Sequence, residues 1–334
     1  MSRKTVAVVG ATGYGGAEIV RLLAGHPVAQ VVIATSERNP GKLLSDEAPW
    51  LSSQLELTRF DVAATDVDVV FLCQEAGFAM EHAKALARRS VVVDLSADFR
   101  LEDRALYEAT YDRPHASPET VAVYGLPELV DSQAIANARI IANPGCYPTA
   151  SLLALAPLVR AGLVTGTPVI DAKSGVSGAG RSRKETDYLF SELSGGFRAY
   201  GAVGHRHTPE IEQLAGIPVR FTPHLLPQAR GIHATLHVPI SAGIDRDTVL
   251  NVLTGAYEGR PFVRVVGSPP STKQVLGSNR CDLWADVDAR TGHAVICSVI
   301  DNLTKGAAGQ AIQNMNIALG LPEATGLPLH GVWP

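Results

Sequence analysis

The chain has 334 residues, 46% of them hydrophobic and 19% charged, with a formal net charge of −4. That length predicts two domains, each able to bury a core. No apolar run reaches the ~20 residues of a membrane-spanning helix, and scattered basic residues leave no positive footprint for nucleic acid.

In chain order, TVAVVG (5–10) predicts a strand ending at Gly10, and GYGGAEIVRLLAGHP (13–27) an amphipathic helix closed by Gly25 and Pro27. QVVIATS (30–36), VDVVFLCQ (67–74), SVVVDLS (90–96) and ARIIAN (138–143) are further apolar runs, with helical spacing in AMEHAKALARR (79–89). Continuous apolar runs fit parallel strands covered on both faces, so residues 1–145 are expected to form a Rossmann-type, doubly wound α/β sheet.

The pattern changes after Cys146. TASLLALAPLVRAG (149–162) predicts a helix, and the runs PVIDAKSG, PVRFTPHLL, GIHATLHVPI, CDLWADVDAR and HAVICSVID alternate apolar with polar. Alternation predicts an antiparallel sheet with one face on helices, hence a second, α+β domain over 146–303. DARTGHAV (288–295) reads as a hairpin turn. NLTKGAAGQAIQNMNIALG (302–320) reads as a last helix, with 304–334 expected to rejoin the first domain.

Cys73, Cys146, Cys281 and Cys297 lie far apart with no CxxC pair. A disulfide framework and a zinc knuckle are therefore not expected, and without a signal-like N-terminus the chain reads as cytoplasmic and metal-free.

GATGYGG (10–16) follows a strand and opens a helix, the context of a dinucleotide cradle; the bland alternative is a tight turn with nothing bound. Gly10, Gly13, Gly15 and Gly16, with Thr12 and Tyr14, would bring backbone N–H groups and the helix's positive end to a pyrophosphate. The next strand ends Ser36-Glu37-Arg38. Ser36 and Arg38 suit the 2′-phosphate of NADP and Glu37 the ribose of NAD; NADP is the expected cofactor.

In ANPGCYPTA, the turn Asn143-Pro144-Gly145 and the early Pro148 set Cys146 at or just before a helix N-terminus. That location favours thiolate, and the free N–H groups can hold an oxyanion. An inert thiol, as expected of Cys73 and Cys297, is the alternative. A thiolate beside a nicotinamide cofactor defines acyl-enzyme formation with hydride transfer. HRHTPEI (205–211) offers two imidazoles before a helix signalled by Thr208 as N-cap and Pro209 as first residue. In an extended segment, residues 205 and 207 point the same way; His207 is expected as acid/base, His205 as its support, and Glu210 as an orienting or substrate-binding group. A zinc pair would lack a third ligand.

GATGYGG, SADFR (96–100), YGLPEL (124–129), NPGCYPTA, SGVSGAGR (174–181), HRHTPEI, GSN (277–279) and DNLTKGAAGQAIQNMN (301–316) together resemble the N-acetyl-γ-glutamyl-phosphate reductase family. The resemblance implies a semialdehyde-dehydrogenase fold and NADPH-dependent reduction of an acyl phosphate to N-acetylglutamate semialdehyde in arginine biosynthesis. It also implies a homodimer or homotetramer. Arg100 would serve the phosphate, Ser174, Gly175 and Asn302 the cofactor, and Asn143, Arg181 and Lys184 the substrate. Two departures stand out: Arg230-Gly231-Ile232-His233 is one residue out of the RxH register of semialdehyde dehydrogenases, and CQEAG (73–77) replaces a frequent Pro-His pair. The rival readings are reduction of an aspartyl or aminoadipyl phosphate, and a non-catalytic NADP-binding regulator.

Overall fold

The computed structural model describes residues 3–182 and 185–332. They form two compact units. The chain up to Pro144, with Gly180–Ser182 and Ala307–Leu327, makes the first; Gly145–Ala179, the chain on to Gly306, and the residues from Pro328 make the second.

The first unit is built on β1 (Lys4–Val9), α1 (Tyr14–Leu23), β2 (Ala29–Thr35), α2 (Leu44–Glu47), β3 (Leu57–Thr58), β4 (Val69–Leu72), α3 (Phe78–Leu86), β5 (Val91–Asp94), α4 (Arg104–Tyr111), β6 (Val123–Tyr124), α5 (Ser132–Asn137) and β7 (Ile140–Ala142). Its strands are all parallel, in the order β3-β2-β1-β4-β5-β7-β6. Every residue of β4 and β5 is buried, as their unbroken apolar sequences predict. The order reverses between β1 and β4, which opens a crevice at their carboxyl ends where such sheets bind ligands. The closing helix Gly309–Ala318 is buried although rich in amides. Three of its amides are spent on protein: Gln313 donates to Glu128 at 3.0 Å, Asn314 to the Gly125 carbonyl at 2.9 Å, and Asn316 meets His26 Nε2 at 3.0 Å, whereas the side-chain amide of the fully buried Gln310 has no partner among the described residues. It does not run unbroken from 302 as expected, because a π-helical turn, Thr304–Ala308, precedes it.

The second unit holds α6 (Cys146–Arg160), β8 (Val169–Gly175), α7 (Phe190–Leu193), β9 (Arg198–Ala199), α8 (Thr208–Ala215), β10 (Arg220–Leu226), β11 (Ile232–Pro239), α9 (Arg246–Ala256), β12 (Val263–Val265), β13 (Cys281–Asp288) and β14 (His293–Ile300). The strand order is β12-β13-β14-β11-β8-β10-β9. Alternation correctly marks one buried face: Ile170, Ala172, Phe221, Leu225, Ala234 and Leu236 point inward. The sheet is mixed, not purely antiparallel, because β8 and β10 pair in parallel, joined by a connection that contains α8. Alternation reports which face is covered and carries no information on strand direction. Helix α6 packs against β11, β14, α8 and α9 and is buried from Tyr147 through Leu158. Truncating a side chain such as Leu152 there would cost roughly 2–5 kcal/mol. That packing anchors the helix whose first residue is Cys146.

Candidate active site

Gly145, extended at φ −67° and ψ 151°, is the N-cap of α6, so Cys146 is the first helical residue. First-turn amides have no intrahelical acceptor, and the thiol sits among them. The entry turn is braced from two sides: the Gly145 N–H donates to Glu210 Oε1 at 2.7 Å, and Thr149 Oγ1 donates to the Gly145 carbonyl at 3.0 Å. Gly306 presses on the thiol-bearing carbon, since a Cβ there would lie 2.8 Å from Cys146 Cβ. Burial pushes the Cys73 and Cys297 thiols up, which keeps them protonated. Cys146 lines a cleft of about 160 Å³.

His205 and His207 line the same cleft, as do Ser174 and Gly175. The two rings lie 5.0 Å apart. They meet through a turn and not through the extended segment expected: the His207 N–H donates to His205 Nδ1 at 3.1 Å. That bond requires a lone pair on Nδ1, so neutral His205 carries its proton on Nε2. Burial first, and then the Arg206 charge, lower its pKa to about 4. His207, 7% exposed, is itself the N-cap of α8. The helix therefore starts one residue earlier than the Thr208-Pro209 signal suggests, with Pro209 in its first turn.

Sequence reasoning missed several lining residues, among them Tyr147, Tyr188, Tyr200 and Arg206. Tyr200 donates its hydroxyl to Tyr147 Oη at 3.2 Å, and Tyr147 donates onward to the His224 carbonyl at 3.1 Å. Both rings stand edge-on to His205. The available signal was the polar, aromatic and cationic content of the stretch leading into HRHTPEI. His233 lies on β11 with Thr235 Oγ1 3.5 Å from its Nδ1, and it does not line the cleft.

The glycine loop divides by role. Gly10 has φ +87°, and a Cβ on it would lie 2.6 Å from the Cys73 carbonyl at the end of β4; a Cβ on Gly16 would strike the Gly10 carbonyl. These two shape the turn. A Cβ on Gly13 or Gly15 meets nothing closer than 3.5 Å, so their bareness leaves room above the first turn of α1, a space fitted to a pyrophosphate. Tyr14 is exposed beside it. At the end of β2, buried Ser36 lies 3.4 Å from Thr12 through their hydroxyls, and Arg38 is exposed. The Glu37 carboxylate turns back to accept the Phe60 N–H at 3.0 Å and to face Arg59 at 3.5 Å.

The remaining expected residues fall in separate settings. Arg100 is buried and donates from Nε to the Asn143 carbonyl at 2.8 Å and from Nη2 to the Leu95 carbonyl at 2.9 Å. Asn143 donates to the Ala307 carbonyl at 3.2 Å and accepts from Asn314 at 3.1 Å. Arg181 reaches the carbonyls of Thr12 and Glu47 and lies over the Trp50 ring. Asn302 accepts from the Gly231 N–H at 2.7 Å and donates to Ser177 at 2.9 Å. Lys184 lies outside the described residues. Among the described residues no cluster of three His, Cys, Asp or Glu is disposed to hold a metal ion, and no helix is long and apolar enough to cross a membrane.

Two family models match the chain: the semialdehyde dehydrogenase NAD binding domain over residues 5–138 and the semialdehyde dehydrogenase dimerisation domain over 146–302. Among solved structures, aspartate semialdehyde dehydrogenase II of Vibrio cholerae shares the fold at 21% identity with a TM-score of 0.72, covering 96% of this chain and 99% of that one. The N-acetyl-gamma-glutamyl-phosphate reductase of Symbiobacterium thermophilum is 50% identical, covering 96% of this chain and 97% of the relative. That of Pelotomaculum thermopropionicum is 46% identical over 98% of this chain and 99% of its own. The probable chloroplastic enzyme of Arabidopsis thaliana is 45% identical over 98% and 85%. Near-complete coverage at these identities, with the cysteine and both histidines in one cleft, establishes that this chain belongs to the N-acetyl-gamma-glutamyl-phosphate reductase family.

Proposed function

We propose that the protein reduces N-acetylglutamyl 5-phosphate to N-acetylglutamate 5-semialdehyde and phosphate with NADPH, a step of arginine biosynthesis. The observation that carries this reading is Cys146 at the first position of α6, in one cleft with His205 and His207. The Cys146 thiolate attacks the acyl carbon, the C–O bond to phosphate breaks, and a thioester remains on the sulfur. First-turn amides of α6 steady the oxyanion of each tetrahedral stage. The 10–16 loop, with Ser36 and Arg38 after β2, would hold NADPH, which when bound would supply the hydride for reduction of the thioester. His207 gives a proton to the oxygen as the thiohemiacetal forms and takes it back as the C–S bond breaks, which frees the aldehyde and restores the thiolate. Neutral His205 steadies the His207 segment by accepting its backbone N–H.

Ser174, Gly175 and Asn302 are assigned to the cofactor, and Arg100, Asn143, Arg181 and Glu210 to the substrate or its supports. The reading also takes the protein to be a cytoplasmic homodimer or homotetramer assembled through the 146–302 domain. The test is phosphate-dependent reduction of NADP with N-acetylglutamate semialdehyde, run beside aspartate semialdehyde and the aminoadipyl analogue. A preference for either of the latter two would overturn the substrate; silence with all three would favour the non-catalytic alternative.

A further inference from the structure

Among the described residues, the cleft around Cys146 has a single cation on its lining, Arg206. It stands between the two histidines, its side chain exposed, and no carboxylate among the described residues pairs with it. Its charge is felt inside the cleft, where it lowers the pKa of His205 and works against the upward shift of Tyr200. An exposed guanidinium without a carboxylate partner among the described residues, lining one cleft with Tyr188 and Tyr200, is a receptor for an anion that arrives with the ligand.

We propose that Arg206 binds the α-carboxylate of the acyl substrate and thereby selects for it. The inference rests on the reaction proposed above. In that substrate the α-carboxylate lies four bonds from the carbon that Cys146 attacks, so it sits away from the thiol while the carbonyl is seated on it. Arg206 meets that demand because its exposed side chain is at the solvent side of the cleft, whereas Cys146 and His207 are less exposed. The departing phosphate, attached to the reacting carbon itself, would need a cation beside the sulfur. We take this contact with a remote, unreacting group to be equally strong in the ground and transition states, so its loss is expected in KM and not in kcat.

The experiment runs the reaction toward acyl phosphate with two aldehydes, N-acetylglutamate semialdehyde and 4-acetamidobutanal, which lacks only the α-carboxylate. Wild type, Arg206→Gln and Arg206→Lys are compared, with NADP affinity as the control for an intact fold. For Arg206→Gln the expected result is a rise of ~10-fold or more in KM for the carboxylated aldehyde, with kcat nearly kept. Its kcat/KM for 4-acetamidobutanal should match wild type, and Arg206→Lys should recover part of the loss. An equal loss on both aldehydes would overturn the proposal. So would a change confined to the KM for phosphate, which would assign Arg206 to the phosphate instead. If wild type oxidises neither aldehyde, the reaction itself is wrong and the inference falls with it; if wild type works and discriminates no better than the glutamine variant, only the inference falls.

Discussion

At the scale of single residues, the division of labour proposed for the two histidines rests on one hydrogen bond. His205 accepts the His207 N–H at Nδ1 and is held neutral down to about pH 4, so it neither gives nor takes a proton readily at working pH. His207→Asn is therefore expected to lower kcat by ~10²–10⁴, and His205→Asn by clearly less, as a support would. Steady-state rates of the two variants decide the order, and the reverse ranking would exchange the roles. Cys146→Ser should abolish turnover while NADPH binding, followed by fluorescence, survives. Residual activity above about a percent would remove the thioester from the mechanism. The thiol's position was legible because Pro144, Gly145 and Pro148 are adjacent helix-start signals. Tyr200 and Arg206 were legible only as aromatic and cationic content near HRHTPEI; their membership of the cleft was not, since no local pattern encodes which distant segments meet.

At the scale of elements, the glycine loop separates fold from ligand binding in a way substitutions can read. Gly16→Ala drives a methyl into the Gly10 carbonyl at the start of α1, so it should lower the melting temperature with or without cofactor. Gly15→Ala makes only an ordinary contact on the protein side, 3.7 Å from Leu95 Cδ2. It should leave the melting temperature of the unliganded protein nearly unchanged and weaken NADPH binding severalfold or more, because the methyl stands where the cofactor must approach. Thermal melts with and without NADPH test both, and a Gly15→Ala protein that binds normally would deny the loop its cradle role. The five long strands of the first sheet were legible as apolar runs. Strands β3 and β6 were not: two residues each, at the two edges of the sheet, they carry too little pattern to be seen. The parallel pairing of β8 with β10 was hidden for a different reason, because residues pointing to alternate faces look the same in either direction.

At the scale of the whole molecule, the chain crosses between its two units more than once. Gly180–Ser182 belongs with the first unit, yet lies inside a stretch that otherwise reads as the second; the bonds of Arg181 to Thr12 and Glu47 are long-range and invisible to periodicity. The two units also differ in how they respond to acid. In the second, burial lowers the pKa of His205 to about 4 and that of His233 below the ordinary value. An unfolded chain takes up those protons near pH 6.5, so between about pH 6.5 and 4 it binds more protons than the folded unit, and stability falls as pH falls. In the first unit burial lowers His26 likewise, but burial and the neighbouring Asp98 charge raise Asp94 to about 7. Asp94 thus binds its proton in the folded state well before the unfolded chain does, which adds stability on acidification and offsets His26. Moving from pH 7.5 to pH 5 should accordingly loosen the second unit more than the first. Amide exchange protection factors should drop across β8, β10 and β11 while holding in β1, β4 and β5. Replacing His205 with Asn should shrink the difference, and an equal loss in both sheets, or an earlier one in the first, would show that these groups do not govern the acid response.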